Sequence, residues 1–132
     1  METFTPRRIL ILDDDKALCE ILEAALTDNG FEVKILKSTN NIIEDVSSFQ
    51  PDAVLLDYIL PGINGGELCH QIKTNRLTKN IPVILFSAYA RVLQSLGDYG
   101  CDCFVEKPFD LWDLLQTIDN LSVTTSGLVD SE

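Results

Sequence analysis

Several residues that could bind a metal ion or transfer a chemical group follow short apolar runs along this chain. Three consecutive aspartates, Asp13 to Asp15, follow the run ILIL, and Asp57 follows the run AVLL. Ser87 follows VILF, and Lys107 follows CFVE. If these runs are parallel strands of one sheet, their carboxyl ends share one edge, and the polar side chains meet there.

Such a group of side chains suits phosphoryl transfer. Crowded carboxylates repel one another, and their pKa values rise unless a cation neutralises them. Mg²⁺ does so with oxygen ligands, typically one or two carboxylates together with water and phosphate oxygens. A metal ion and Lys107 would hold the equatorial oxygens of a phosphoryl group, and Ser87 would donate one hydrogen bond. Asp57, at the end of its apolar run, is the candidate carboxylate nucleophile.

The apolar runs alternate with helical patterns five times. The predicted strands β1 to β5 cover residues 9–12, 31–36, 53–56, 83–86 and 103–106. The predicted helix α1 lies between Asp15 and Asn29, and α2 to α5 cover residues 39–49, 63–75, 88–100 and 110–121. Side chains of the type that accept hydrogen bonds from a first helical turn precede three helices, at Asp15, Asn64 and Asp110.

This pattern predicts an α/β fold in which helices cover both faces of a parallel sheet. The first, third and fourth runs are continuously apolar, as central strands are, whereas the second alternates and the fifth is short and interrupted by charge. Three central and two edge strands fit a doubly wound, flavodoxin-like (βα)5 sheet with strand order 2-1-3-4-5. Ligands bind such sheets where the strand order reverses, here beyond the carboxyl ends of β1 and β3.

Length and composition indicate one globular domain. The chain has 132 residues, of which 45% are hydrophobic, and a formal net charge of −11. The acidic balance excludes nucleic acid as a direct partner, and it fits either solubility or the binding of divalent cations. The domain is expected over residues 7–121, and the small polar residues 122–132 are expected to form a frayed tail.

The same sequence indicates a cytoplasmic protein without a membrane partner. Its first residues lack an apolar signal region, and no run approaches membrane-spanning length. The four cysteines contain no C-x-x-C pair, which favours reduced, packed thiols over zinc sites or disulfide bonds.

Four segments together resemble the receiver domain of response regulators, the phospho-acceptor half of two-component signalling. They are ILILDDDKAL, PDAVLLDYILPGINGGEL, IPVILFSAYA and FVEKPF, and they occur in the order and with the spacing of that family. The resemblance implies that Asp57 accepts a phosphoryl group from the phosphohistidine of a sensor histidine kinase or of a histidine phosphotransfer protein. It implies a signalling domain that catalyses only its own phosphorylation and dephosphorylation, with Mg²⁺ as the cofactor.

The resemblance also assigns metal ligands. Asp14 would bind Mg²⁺ directly, Asp13 would bind it directly or through water, and the backbone carbonyl of Ile59 would be a further ligand beside Asp57. Lys107 would pair with Asp57 and afterwards with its phosphate.

A further set of implied residues concerns the conformational switch. Ser87 would hydrogen-bond the phosphoryl oxygen and draw the loop after β4 inward, and Phe104 occupies the aromatic switch position of the family. The peptide bond between Lys107 and Pro108 would be cis. The face formed by α4, β5 and α5 would bind an output partner, and a homodimer formed on phosphorylation is left open. The sequence also leaves open whether the chain stands alone or belongs to a larger regulator or hybrid kinase.

Parts of the sequence also fit two other functions. Asp13 and Asp15 form a D-x-D pair after an apolar strand, which resembles the opening motif of haloacid-dehalogenase-type phosphatases with Asp13 as the nucleophile. Against it, the chain is short for that fold with a cap, and no acidic pair follows Lys107. A degenerate receiver that binds partners without phosphate is disfavoured by the complete set of Asp57, Ser87 and Lys107.

Several residues have simpler interpretations. His70 is expected to be an ordinary residue of α3, and Phe104 is as consistent with the core as with a switch. Trp112 on α5 is expected to lie in the core rather than on a partner surface. Ile59 and Tyr89 occupy positions that tune phosphoryl lifetime in the family, and the hypothesis is that they shield the acyl phosphate from water and slow its loss.

Overall fold

The computed structural model describes residues 7–60, 62–88 and 100–130, with only the backbone described over 122–130. Five parallel strands form one sheet in the order β2-β1-β3-β4-β5. The strands are β1 Arg8–Leu12, β2 Glu32–Leu36, β3 Ala53–Asp57, β4 Val83–Ser87 and β5 Cys103–Glu106. The predicted strand order is confirmed.

Four of the five predicted helices fall in the described part of the chain. They are α1 Lys16–Asp28, α2 Ile42–Phe49, α3 Gly65–Thr74 and α5 Leu111–Asp130. The predicted α4 lies outside the described residues except for its two ends. Within the described ranges, no helix combines the length and apolar character that a membrane span requires.

The predicted helix starts are confirmed. The Asp15 carboxylate accepts a hydrogen bond from the backbone N–H of Leu18 at 3.1 Å. Asn64 and Asp110 likewise accept hydrogen bonds from the backbone N–H three residues further on, at 2.8 and 3.1 Å. The α1 helix ends before Gly30, whose φ of 88° lies in the region that favours glycine.

The core is divided by the sheet into two layers. Strands β3 and β4 are buried along their whole length, and β1 is buried except at Arg8. One layer of side chains packs under α1 and α5 and the other under α2 and α3. Continuous apolar character in these strands follows from this arrangement, because neither face of a central strand contacts water.

The α5 helix is longer than predicted. It continues through residues 122–130, where the sequence predicts a frayed tail. Serine and threonine lose only a few tenths of a kcal/mol of helix propensity relative to good helix formers, and no proline interrupts this segment. Polarity alone therefore does not end the helix. The division of the chain into a domain and a tail at residue 121 stays a prediction.

The prediction that Trp112 lies in the core is wrong. Its side chain is 65% exposed, whereas Leu114 and Ile118 of the same helix are buried. Leu114 and Ile118 are four residues apart and share one face of α5, whereas Trp112 precedes Leu114 by two residues and lies on the opposite side. The periodicity identified the helix, but the size of the indole did not determine which face it occupies.

Two alanine substitutions on α5 test this orientation. Leu114→Ala is expected to lower the free energy of unfolding by about 2–5 kcal/mol, because it opens a cavity in the core. Trp112→Ala is expected to cost less than about 1 kcal/mol, since most of the ring already contacts water. Urea unfolding of the two variants measures the difference, and a larger loss for Trp112→Ala would contradict the orientation.

Candidate functional site

The polar residues at the carboxyl ends of the strands come together at one edge of the sheet. Asp13 follows β1, Asp57 ends β3, Ser87 ends β4 and Lys107 follows β5. Carboxylate oxygens of Asp13, Asp14 and Asp57 lie within 4.8 Å of one another. The cluster lies beside the switch in strand order between β1 and β3, where the fold predicts a ligand site.

Lys107 contacts two of the three carboxylates. Its Nζ lies 3.1 Å from Oδ2 of Asp13 and 3.2 Å from Oδ1 of Asp57. The ammonium also lies 5.1 Å from the ring centroid of Phe86, within the range of a cation–π interaction. The backbone N–H of Lys107 donates to the carbonyl of Ser87 at 3.0 Å, which ties the lysine to the end of β4. Lys107 therefore bridges strand ends across the site.

The three consecutive aspartates have different surroundings. Asp13 is fully buried, and its Oδ1 accepts from the backbone N–H of Asp15 at 2.9 Å. Its backbone carbonyl accepts from the thiol of Cys19 at 3.3 Å. Asp14 is exposed, so it meets the cluster from the solvent side, whereas Asp15 caps α1. A phosphatase-like attack by Asp13 fits poorly, because both of its carboxylate oxygens are engaged and the side chain does not contact water.

The surroundings of the Asp57 carboxyl disfavour its ionised form. Burial, followed by the charge of Asp13, raises its pKa, and Lys107 only partly offsets the two. Burial acts to lower the pKa of Lys107, but hydrogen bonds and charges of Asp13 and Asp57 outweigh it, so this pKa is raised. Three carboxylates against one ammonium leave an excess of negative charge at the site.

A divalent cation fits this donor set. Carboxylate oxygens are hard ligands of the kind that Mg²⁺ prefers, and Asp14 gives the cluster an open, solvent-facing side where water ligands could remain. The excess negative charge also equals that which a doubly charged ion would neutralise. We therefore regard Asp13, Asp14 and Asp57 as a suitable Mg²⁺ site.

The remaining predicted residues differ in burial and in their place in the fold. Ser87 is 2% exposed. The side chain of Ile59, two residues after Asp57, is 58% exposed.

Phe104 is partly buried against the core layer under α2 and α3, which agrees with its simpler interpretation. The peptide bond between Lys107 and Pro108 is cis, as the resemblance implies. Tyr89 lies outside the described residues, and His70 is exposed on α3.

Sequence reasoning missed the role of Gly65. A Cβ atom on this residue would lie 2.2 Å from the backbone oxygen of Asp57, so the first turn of α3 touches the end of β3 directly. The N–H of Gly65 donates to the carbonyl of Tyr58 at 2.8 Å, which fixes the loop after β3. The pair of glycines in INGGEL, at the start of a helix that glycine disfavours, was the available signal.

The free energy of unfolding of the Asp57→Asn variant, measured without Mg²⁺, tests whether the surroundings of Asp57 raise its pKa. Because the folded state binds the Asp57 proton more tightly than the unfolded chain, the wild type loses stability as pH rises from the ordinary value of 3.8 through the raised pKa. Asparagine does not ionise, so the variant should be more stable at neutral pH, on the order of 1 kcal/mol. The difference should vanish below the ordinary carboxyl pKa.

Urea unfolding in the presence of a chelator measures this effect. Glu20→Gln removes an exposed carboxylate from α1 and serves as the matched control for net charge. Equal stabilisation by Glu20→Gln, or destabilisation by Asp57→Asn at neutral pH, would contradict the assignment.

Comparison with known proteins agrees with this geometry. Residues 9–119 match the family model of the response regulator receiver domain. Response regulator MprA of Mycolicibacterium vanbaalenii is 34% identical over 112 residues, which cover 83% of this chain and 48% of that protein. The chain thus spans about half the length of the curated relatives it matches.

Solved structures show the same fold. A CheY-like response regulator receiver domain protein from Methanospirillum hungatei superimposes with a TM-score of 0.83 at 26% identity, covering 93% of this chain and 98% of that one. The response regulator TrrA from Thermotoga maritima, solved in complex with Mg²⁺ and beryllium fluoride, gives a TM-score of 0.77 at 29% identity, covering 87% and 98%. With most of its length matched by the family model, this chain belongs to the response regulator receiver domains of two-component systems.

Proposed function

We propose that Asp57 is the phospho-acceptor of this receiver domain and takes its phosphoryl group from a phosphohistidine of a histidine kinase or histidine phosphotransfer protein. The observation that carries the proposal is the position of Asp57, which ends a central strand within a group of carboxylates and contacts Lys107 at 3.2 Å. Because Oδ1 binds Lys107, Oδ2 is the atom we assign as the nucleophile. It would form the oxygen–phosphorus bond as the nitrogen–phosphorus bond of the donor breaks.

The other side chains would stabilise charge on the transferred group. Lys107 lies close enough to Asp57 to move from the carboxylate to a phosphoryl oxygen with a small displacement. Ser87, at the neighbouring strand end, would donate its hydroxyl proton to a second oxygen. Asp13, Asp14, Asp57 and the backbone carbonyl of Ile59 would hold Mg²⁺, which neutralises charge on the carboxylates and the phosphoryl oxygens when bound.

The test is the intact mass of the protein after incubation with acetyl phosphate and Mg²⁺. Wild type is expected to gain one phosphoryl group, and Asp57→Asn to gain none. Asp13→Asn should react more slowly but place the group on Asp57. An adduct that survives Asp57→Asn and is lost in Asp13→Asn would instead support the phosphatase-like function.

We further propose that phosphorylation shifts an existing equilibrium of the domain through Ser87 and Phe104. The affected surface would be the face formed by α4, β5 and α5, where an unidentified output partner binds. β5 is an edge strand of the sheet, and Phe104 on it packs against the core. Amide spectra with and without beryllium fluoride should differ on this face, and unchanged spectra there would contradict the proposal. A cytoplasmic location and a phosphorylation-linked homodimer stay predictions.

The lifetime of the phosphoryl group is a separate expectation. Ile59→Asn and Tyr89→Ala are expected to accelerate spontaneous dephosphorylation several-fold, because apolar and bulky side chains near the acyl phosphate hinder the in-line approach of water. The exposed side chain of Ile59, two residues from the acceptor, is consistent with this role. Decay of the phosphorylated protein after removal of acetyl phosphate measures the rate. Unchanged decay in both variants would refute the hypothesis.

A further inference from the structure

Hydrogen bonds and an ion pair connect the end of α3 to the segment that leads into β5. Nζ of Lys73 lies 2.9 Å from Oδ2 of Asp102 and 3.0 Å from the carbonyl oxygen of Ile81. The same carboxylate oxygen of Asp102 accepts from the backbone N–H of Val83 at 2.7 Å. A Cβ atom on Gly100 would lie 3.4 Å from Cβ of Lys73, so residues 100–102 run directly along the helix.

This attachment brings two cysteines together. Cys69 lies one helical turn before Lys73 on the same face of α3, and Cys101 immediately precedes Asp102. Cys69 belongs to the core layer under α2 and α3, and Cys101 packs against that same layer. All four cysteines are reduced, but Cys103 packs on the opposite face of the sheet. Cys69 and Cys101 are therefore a pair on one side of β5.

We propose that Cys69 and Cys101 are a modification site, at which a peroxide forms a reversible disulfide bond between α3 and the start of β5. Cys101 is half-buried and would meet the oxidant first, whereas Cys69 is fully buried beside it. This inference is independent of phosphoryl transfer, because it uses neither Asp57 nor its neighbours.

The reaction balances without a protein-bound cofactor. The Cys101 thiolate attacks one oxygen of hydrogen peroxide, forming a sulfenic acid and releasing hydroxide. The Cys69 sulfur then attacks the Cys101 sulfur, and hydroxide leaves as water once it takes up a proton. Two thiols are oxidised and one peroxide is reduced to two waters. A reducing thiol such as dithiothreitol reverses the step by exchange.

The local environment determines the order in which the two cysteines react. The hydrogen bond to Cys101 and burial raise the pKa of the Cys69 thiol, while Lys73 acts in the opposite direction. Little Cys69 thiolate is therefore present at neutral pH, so Cys69 takes the second step, in which its proton passes to the leaving hydroxide. In a reducing cytoplasm such a bond would be transient, as redox-sensing disulfides are.

The bond should have a measurable effect on stability. It would close a loop of about 30 residues that contains β4, and this constrains the unfolded chain. We expect the midpoint of thermal unfolding to rise by roughly 10 °C on oxidation and to return after reduction.

The experiment treats the folded protein with hydrogen peroxide and then alkylates the remaining thiols under denaturing conditions. Intact mass should show two alkylated cysteines instead of four, and peptide mapping should identify a cross-link between Cys69 and Cys101. The matched control is Cys103→Ser, which changes a half-buried thiol two residues away on the other face of the sheet. It should still form the bond, whereas Cys101→Ser should keep all three of its thiols. Cys69→Ala should show no cross-link and should carry added oxygen on Cys101.

Several results would overturn the proposal. They are a cross-link that involves Cys19 or Cys103, a dimer linked between chains, and four thiols that stay reactive after peroxide. If Cys69→Ala or Cys101→Ser fails to fold, the peptide map of the wild type decides the question by itself.

Discussion

Replacing Gly65 by alanine is expected to lower the free energy of unfolding by about 2–3 kcal/mol, although it exchanges a poor helix former for the best one. On helix propensity alone, the substitution would stabilise an α-helix by about 1 kcal/mol. The contact geometry reverses the sign of this expected change in stability. The added methyl would lie 2.2 Å from the backbone oxygen of Asp57 and 2.9 Å from its carbonyl carbon, and a backbone cannot move aside as a flexible side chain can.

Chemical unfolding of Gly65→Ala and of Gln71→Ala measures this effect. Gln71 is exposed on the same helix, so its replacement changes helix propensity without a steric contact and should alter stability by less than about 0.5 kcal/mol. Stabilisation by Gly65→Ala would show that α3 does not approach β3 as closely as the structure indicates.

The close approach also has a consequence for the site. Because Gly65 donates to the carbonyl of Tyr58, the first turn of α3 fixes the loop that carries the backbone carbonyl of Ile59. Displacement of the helix would move this proposed metal ligand together with Asp57. We therefore expect Gly65→Ala to slow phosphoryl uptake as well as to reduce stability.

The fold could be predicted from the sequence because a parallel sheet imposes simple rules. A central strand that is covered on both faces has no polar side, so residues 9–12, 53–56 and 83–86 are continuously apolar. The carboxyl ends of parallel strands share one edge, so Asp13, Asp57 and Lys107 could be placed together before any coordinates were known. The structure confirms the strand order and brings these side chains together.

The features that could not be predicted depend on how elements are rotated and how closely they pack. Periodicity identifies α5 as a helix, but Trp112 lies on its outer side because the buried face is defined by Leu114 and Ile118. The contact of Gly65 with β3 is a distance between backbones, which no side-chain pattern encodes. The proposed pairing of Cys69 with Cys101 depends on the tertiary attachment of α3 to the residues before β5 and leaves no motif in the sequence.

Lys107→Met is expected to slow Mg²⁺-dependent phosphoryl uptake by roughly 10²-fold while the adduct still forms on Asp57. Methionine keeps an apolar chain of similar length beside the Phe86 ring but removes the ammonium that contacts Asp13 and Asp57. Charge that develops on the phosphoryl oxygens would then lose one of its stabilising partners. The proposed nucleophile, Asp57, remains, so the adduct should accumulate slowly rather than disappear.

The initial rate of adduct formation from acetyl phosphate at saturating Mg²⁺ measures this effect, with Lys37→Met as the matched control. Lys37 is an exposed lysine just after β2, so its replacement changes the net charge equally without removing a contact to a carboxylate of the cluster. If both variants slow the reaction equally, Lys107 acts through the general field of the protein and not through its contacts. If Lys107→Met reacts at the wild-type rate, the lysine is a structural counter-ion for two buried carboxylates, and its loss should appear only in the metal-free stability. The contacts at 3.1 and 3.2 Å favour the first expectation, because an ammonium between the buried Asp13 carboxylate and the proposed acceptor Asp57 lies where the incoming charge would develop.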